Sequence, residues 1–477
     1  MGDGLSVVLD LGKTLSKLSL WDASGAMLAR RTRPNDRPVT VLGGERVRTL
    51  DAAGIEAWAE EVLRAFAGLG RVARIIPVGH GAAAAIVRDG ALVAPPLDYE
   101  QAIPAECAAA YRGQRDPFAR TGSPALPDGL NLGLQLHFLE SLDPALLHGD
   151  ATILPWPQYW AWRFSGVAAS EVTSLGCHSD LWCPASGKPS ALAERRGWAA
   201  RLAPLRHAGE AIGTIGAEWA ERTGLPADVA VHCGLHDSNA ALLAARGFAD
   251  IAEQEATVLS TGTWFVAMRS PGKGARLDLA GLPEARDCLV NVDVHGTPIP
   301  SARFMGGREI ELLTGIDTRR VDINPDQPAI IAALPGVVAS GAMVLPTLTP
   351  GMGPFPGGAT RWINRPAESM GLRAAVCLYA ALVADAMLDL IGTRERVLVE
   401  GRFGEAQAFV RTLATLRPDL HVFVSNEHND VSYGALRLID PSLAPPSALI
   451  RVAPLECDLA GYAARWRSLA TGSSEAA

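Results

Sequence analysis

The sequence predicts an α/β protein of two lobes, on three observations. Short β-rich runs alternate with segments of helical periodicity, the chain opens on a hairpin, and a hairpin of similar make-up follows about half a chain later. The 477 residues are 48% hydrophobic and 20% charged, which excludes a disordered chain. At roughly 100–200 residues per domain the length suits two or three domains. With 43 Lys+Arg against 51 Asp+Glu the formal charge is −8, and no basic run is visible, so a general nucleic-acid or membrane-surface binder is not expected. Seven scattered cysteines do not resemble a disulfide framework and point to a reducing compartment. The first ten residues lack the pattern of a secretory signal.

The run SVVLDLG from Ser6 is a short apolar strand ended by a glycine turn, and KLSLWDASG from Lys17 is a second strand closed by Ser24-Gly25. The sheet they start cannot be purely parallel. Ile55, Trp58, Val62, Leu63, Phe66 and Leu69 then recur at helical spacing, followed by the strand-like RIIPVGH from Arg74. Pro- and Gly-rich tracts at 114–129 and 345–358 read as surface loops. At 256–268, ATVLSTGTWFVAM sets two β-rich runs around Thr261-Gly262-Thr263 and echoes the first hairpin, so the lobe boundary is placed near Phe248, giving lobes 1–248 and 249–477. The apolar stretch from Ala374 carries Asp385 and Asp389 and fits a buried helix better than a membrane span.

Asp10-Leu11-Gly12-Lys13-Thr14-Leu15-Ser16-Lys17 places one carboxylate, two hydroxyls and two ammonium groups in one tight turn. Backbone N–H groups, hydroxyls and lysines can hold a phosphate chain, and a carboxylate can hold hydrated Mg²⁺. An ordinary hairpin with solvated lysines is the other reading. Ser260-Thr261-Gly262-Thr263 offers similar donors without the carboxylate, and the two turns together could clamp a triphosphate. In VHCGLHDSNAALLAA, from Val231, Asp237 stands where a helix begins. It can be an N-cap, a general base for an alcohol attacking a phosphoryl group, or both. A zinc set of His232, Cys233 and His236 is disfavoured, because strand alternation sends neighbours to opposite faces. The aromatics around Trp156–Phe164 read mainly as core, whereas His80, at a strand end before Gly81, is placed either to meet a ligand or as a surface histidine.

In order and spacing these motifs resemble the FGGY carbohydrate kinase family, of the actin and Hsp70 type of ATPase fold, over nearly the whole chain. The first phosphate motif is similar to Asp10–Lys17, the second to Ser260–Thr263, and the catalytic-aspartate motif to Gly234-Leu235-His236-Asp237. The adenosine-side motif is similar to Val399–Gly404, and Glu427 with Tyr433-Gly434-Ala435 resembles the late acidic loop and small-residue helix start. The resemblance implies two ribonuclease H-like lobes of mixed sheets flanked by helices, about an interlobe cleft. It places the sugar on the N-terminal lobe and the nucleotide on the C-terminal one. It implies Asp237 as general base and sugar contact, His80 as sugar contact and Asp10 on the Mg²⁺ side. Lys13, Thr14, Lys17, Gly262, Thr263, Gly401, Arg402 and Gly404 would meet the nucleotide. Lys13 stands where many members carry a small hydroxyl residue, and Arg402-Phe403 replaces a glycine- or serine-rich stretch.

His80-Gly81 and YWAWRFSG resemble ketopentose and 6-deoxyketohexose kinases more than glycerol kinases. The activity so implied is ATP- and Mg²⁺-dependent phosphorylation of a ketose such as ribulose, xylulose, fuculose or rhamnulose. The protein is expected in the cytoplasm, with small-molecule partners only and a homodimer as the candidate assembly. A sugar-independent ATPase of the same fold and a sugar-responsive regulator are the alternatives.

Overall fold

The computed structural model describes residues 4–272, 275, 277–425, 431–445 and 447–472. The chain forms two units. The first is Met1–Gly247 together with Val290–Pro298 and Asp430–Ala444, and the second is Phe248–Leu289, Ile299–Asn429 and Pro445–Ala477. Two short later segments therefore fold with the N-terminal unit, which a single cut near Phe248 does not describe.

The first unit is built on β1 (Leu5–Leu11), β2 (Leu15–Trp21), β3 (Met27–Pro34), β4 (Val72–Gly79), β5 (Ala211–Thr214), β6 (Ala230–His232) and β7 (Leu235–His236), seven strands in one sheet. Its order is β5-β6-β4-β1-β2-β3, with β7 also beside β4. The β1–β2–β3 meander is antiparallel, while β4 runs parallel to β1 and β6 and β7 run parallel to β4. Side chains of β1 alternate as a strand requires: Val7, Leu9 and Leu11 enter one apolar cluster and Val8 the opposite one. The first cluster is covered by the Ala52–Ala67 and Trp156–Ser165 helices, where Trp156 and Trp160 are fully buried beside Tyr159 and Phe164, so these aromatics are core. The opposite face carries the Asp237–Ala245 and Val431–Ile439 helices, through Ala240, Ala435 and Leu436. Asp10 shares the face of Val8.

Register sets the position of the site. Asp10 pairs with Val78 and Leu11 with Gly79 across β1 and β4; Leu235 pairs with Val78 and His236 with Gly79 across β4 and β7. The next residues, Gly12, His80 and Asp237, therefore leave the sheet side by side at the carboxyl ends of three parallel strands, the usual ligand end of such a sheet. Between β4 and β5 a three-stranded sheet (Ala84–Arg88, Ala91–Ala94, Thr152–Pro155) has its own apolar cluster.

A second seven-stranded sheet repeats the arrangement with β8 (Ala256–Thr261), β9 (Phe265–Ser270), β10 (Cys288–Val292), β11 (Pro298–Phe304), β12 (Arg396–Gly401), β13 (His421–Val424) and β14 (Ile450–Arg451), in the order β10-β11-β9-β8-β12-β13-β14. Again the hairpin and third strand are antiparallel, and the next two strands run parallel to the first. The echo between the two hairpin sequences is thus an echo of topology. Ser369–Leu390 is one helix long and apolar enough to cross a membrane, but most of it is buried inside the protein, and its Asp385 meets Arg467 at 2.7 Å.

The same helix holds Tyr379, whose hydroxyl donates to Glu309 Oε2 at 2.6 Å. Burial pushes the Glu309 carboxyl from 4.5 up to about 7. Between those values the folded protein keeps a proton that the unfolded chain releases, so stability falls as pH rises through the window. Glu309→Gln keeps an acceptor for Tyr379 without a titrating group. The variant should match wild type near pH 4.5 and exceed it by up to about 3 kcal/mol at pH 8. Denaturation at both pH values measures this, and parallel curves would remove the assignment.

Candidate functional site

Chain geometry brings Asp10, Lys17, His80, His236 and Asp237 to one end of the first sheet. The turn after β1 is held open by Asn35, whose amide donates to Gly12 O at 2.8 Å and Lys13 O at 3.2 Å, and whose Oδ1 accepts from Ser16 Oγ at 2.7 Å. Nothing in the order of residues announces Asn35, which lies two strands further on. Lys17 pairs directly opposite Asp10 and its ammonium donates to Asp10 Oδ2 at 2.9 Å. Burial raises the Asp10 carboxyl above its usual range, and Lys17 opposes that shift. Thr14 stands exposed at the turn. Lys13 does not: its ammonium lies 2.8 Å from Asp98 Oδ1 and 2.7 Å from Glu100 Oε1, and it is 8% exposed.

Asp237 is the first residue of its helix, with His236 in the N-cap position, so Asp237 is not the cap, and its Oδ1 accepts from Ser238 Oγ at 3.3 Å. Gly234 makes the close approach of the preceding turn to β4 feasible, because its φ of +79° suits glycine and a Cβ there would lie 2.1 Å from Pro77 O. Gln158 Nε2 donates to Gly234 O at 3.1 Å, and His236 N donates to Thr173 Oγ1 at 3.0 Å, fixing the turn from two sides. Thr173 in turn donates to the buried Glu171 carboxyl at 2.6 Å. His236 Nε2 lies 3.2 Å from Asp237 Oδ1, and its Nδ1 lies 3.3 Å from Asn239 Nδ2. An amide nitrogen can only donate, which leaves the imidazole proton on Nε2, whose hydrogen-bond partner is Cys177 Sγ at 3.4 Å. Burial pushes His236 down to about 4, so the ring is neutral at pH 7. Asp237 keeps 26% side-chain exposure, yet loss of solvation raises its carboxyl above the ordinary value, with His80 and Ser238 opposing.

His80 is buried, its Nδ1 meets Gly81 O at 2.7 Å, and its Nε2 has no hydrogen-bond partner among the described residues. Burial holds this imidazole below its ordinary value. A buried nitrogen left open beside a carboxylate has room for a hydrogen bond from a ligand hydroxyl. His232, Cys233 and His236 do not converge: His232 Nδ1 is taken by Gly209 O at 2.9 Å, and the described residues hold no group of three or more metal-ligating side chains.

In the second unit Thr261 pairs with Gly401 at the ends of parallel β8 and β12. Its hydroxyl donates to Glu400 O and accepts from Phe403 N at 3.1 Å. Gly262 and Thr263 are exposed beyond it. The Gly306–Thr314 helix begins against this turn, where a Cβ on Gly307 would lie 2.1 Å from Gly262 O. Gly404 is buried, while Arg402 reaches Thr318 Oγ1 at 3.4 Å. Beside them an apolar pocket is lined by Ile310, Ile316, Ile323, Phe403 and Phe409. Its residues come from three separated stretches, which sequence order does not reveal. Glu427, at the start of the late motif, lies outside the described residues.

Two sheets of one strand order, each ending its hairpin in a hydroxyl-bearing turn, define a two-domain ATPase fold of the actin and Hsp70 type. Residues 253–446 match the carbohydrate kinase FGGY C-terminal domain. A carbohydrate kinase from Novosphingobium aromaticivorans is 59% identical, with 99% of this chain and 100% of that one covered and a TM-score of 0.94. The xylulose kinase of Rhodospirillum rubrum (17% identity, 98% of each chain, TM-score 0.76) and the glycerol kinase of Plasmodium falciparum with ADP (10%, 98% of each chain, 0.77) share the fold. No curated protein matches. The chain belongs to the FGGY carbohydrate kinases, a family of sugar kinases that take their phosphoryl group from ATP.

Proposed function

We propose that this kinase transfers the γ-phosphoryl group of ATP to a hydroxyl of a ketose, a ketopentose or 6-deoxyketohexose, with Asp237 as general base. The observation that carries the reading is the row formed by His80 and Asp237 beside the Asp10–Lys17 pair at the carboxyl ends of adjoining strands. A sugar that donates one hydroxyl to His80 Nε2, the acceptor nitrogen left by the Nδ1–Gly81 O contact, would set a neighbouring hydroxyl beside the Asp237 carboxylate. Asp237 takes its proton, the oxygen bonds to the γ-phosphorus, the bond to the β–γ bridging oxygen breaks, and ADP leaves. Ser238 Oγ donates to Asp237 Oδ1 at 3.3 Å, with the neutral His236 ring beside it. In this reading the first unit binds sugar and the second binds nucleotide. Thr14, Lys17, Gly262 and Thr263 meet the phosphates, Gly401, Arg402 and Gly404 lie on the adenosine side, and the base rests on the apolar pocket at Phe403.

Asp10 suits Mg²⁺, which commonly takes one or two protein carboxylates and completes its shell with water and phosphate oxygens. Bound there, the ion would neutralise charge on the transferring phosphate. Asp10→Ala should raise the Mg²⁺ needed for half-maximal rate, while Thr263→Val should raise the KM for ATP, each by about tenfold. Separate titrations of the two decide, and wild-type behaviour of both variants would remove the two-turn grip.

The test of the function is ADP release from Mg-ATP with D-ribulose, D-xylulose, L-fuculose and L-rhamnulose, alongside glycerol and gluconate. Turnover with one of the ketoses is expected. ADP release without sugar, or only with glycerol or gluconate, would overturn the ketose reading.

A further inference from the structure

Of the two lysines in the first turn, Lys17 keeps 33% of its side chain exposed, whereas Lys13 keeps 8% and is turned to a pair of carboxylates. Its ammonium touches Asp98 Oδ1 and Glu100 Oε1, and it stands 3.9 Å over the centre of the Tyr99 ring between them. Two carboxylates and one ring face thus surround the cation, which holds it by charge rather than by directed hydrogen bonds. Freeing it for a nucleotide would leave the Asp98 carboxylate, 4% exposed, as an unpaired buried charge.

The loop so gripped is fixed on its other side by the backbone. Asp98 N donates to Arg48 O at 3.1 Å, Gly129 N to Tyr99 O at 3.0 Å, and Glu100 N to Asp98 Oδ1 at 2.8 Å. Tyr99 is then presented edge-on to His80, with ring centres 5.4 Å apart and planes at 88°. His80 is the group with the open buried Nε2. The cation is thus linked to the place of the ligand hydroxyl through one ring.

We infer that Lys13 is a positioning residue of the sugar side, holding Tyr99 as the wall that sets His80, and is not a nucleotide contact. The inference rests on the kinase reading. It also gives a physical sense to a lysine in a turn where the family often carries a small hydroxyl residue, because a buried Asp98 and a loop with Tyr99 need a cation there.

Lys13→Ser, and Lys13→Met, which keeps the stem, should each raise the KM for the turned-over ketose about tenfold and leave the KM for ATP within about twofold, since the lost contact acts through Tyr99. Tyr99→Ala should reproduce the effect, and the Lys13→Met/Tyr99→Ala pair should be no worse than the worse single variant. Lys13→Arg, which retains the charge, should recover part of the loss. A raised ATP KM with unchanged sugar KM would make Lys13 a phosphate contact and overturn the inference, as would additive effects of the pair. If both lysine variants fail to fold, Tyr99→Ala decides alone, and an unchanged sugar KM overturns it. Wild-type protein without sugar-dependent ADP release would overturn the kinase reading and this inference together.

Discussion

Asp237→Asn loses at least about a hundredfold in turnover, as expected when a positioned general base is removed. Its melting temperature stays close to that of wild type, for two reasons. Ser238 Oγ can still donate to the amide oxygen that replaces Asp237 Oδ1, and the helix start does not depend on an Asp237 cap, because His236 occupies that position. The wild-type rate should fall on acidification from a pH above the ordinary aspartate range, since the Asp237 carboxyl is raised and a protonated base accepts no proton. The residual rate of the variant should not show that limb. Turnover, melting and a pH profile of one protein test all three statements. Near-native turnover would remove Asp237 from the mechanism, and a large loss of melting temperature would return it to a structural role.

Gly434→Ala should be the most damaging single methyl in the first unit. A Cβ at Gly434 would lie 1.7 Å from Ala240 O and 3.1 Å from Ala244 N, both backbone atoms of the helix that begins at Asp237. Backbone cannot rotate away, so the two helices must separate. Overpacking of flexible cores costs about 1–3 kcal/mol, and a main-chain clash belongs at or above the top of that range. The displaced helix carries Asp237, so turnover should fall with stability. Gly461→Ala is the matched control: it is also helical, and a Cβ there meets nothing within 4 Å. That change should stabilise by about 0.5–1 kcal/mol through helix propensity. Denaturant titration of both variants checks the contrast. Wild-type stability of Gly434→Ala would show that the helices are not so closely apposed.

The hairpins, the strand before His80 and the helix start at Asp237 were legible because each is a local pattern: a β-rich run, a glycine turn, a change of period. Asp10, His80 and Asp237 could be nominated because strand ends and short polar turns are visible in one dimension. Their mutual register was not, since it depends on pairings among β1, β4 and β7. Asn35, Tyr99 and Asp98 were missed for the same reason, being ordinary loop residues until the fold brings them to the first turn. The side on which Lys13 acts was also hidden, because a lysine in a polar turn has the same appearance whether it faces phosphate or a buried carboxylate. The tail of the first unit was illegible in another way: the small-residue helix at 431–439 carries no mark of the sheet it covers.

That late helix ties the first unit to the order in which the chain is made. A ribosome delivers Asp237 roughly 200 residues before Gly434. At about 5–20 residues per second, the Asp237 helix waits on the order of 10 s or more without its cover. During that interval Ala240 and the Val8, Ile76 and Val78 face of the sheet are exposed to chaperones or to other nascent chains. A stop codon anywhere before residue 431 would consequently disable the first unit, although most of that unit had already been synthesised. Expression of residues 1–247 alone should give aggregated protein, and supplying both 290–298 and 431–444 through linkers should restore solubility.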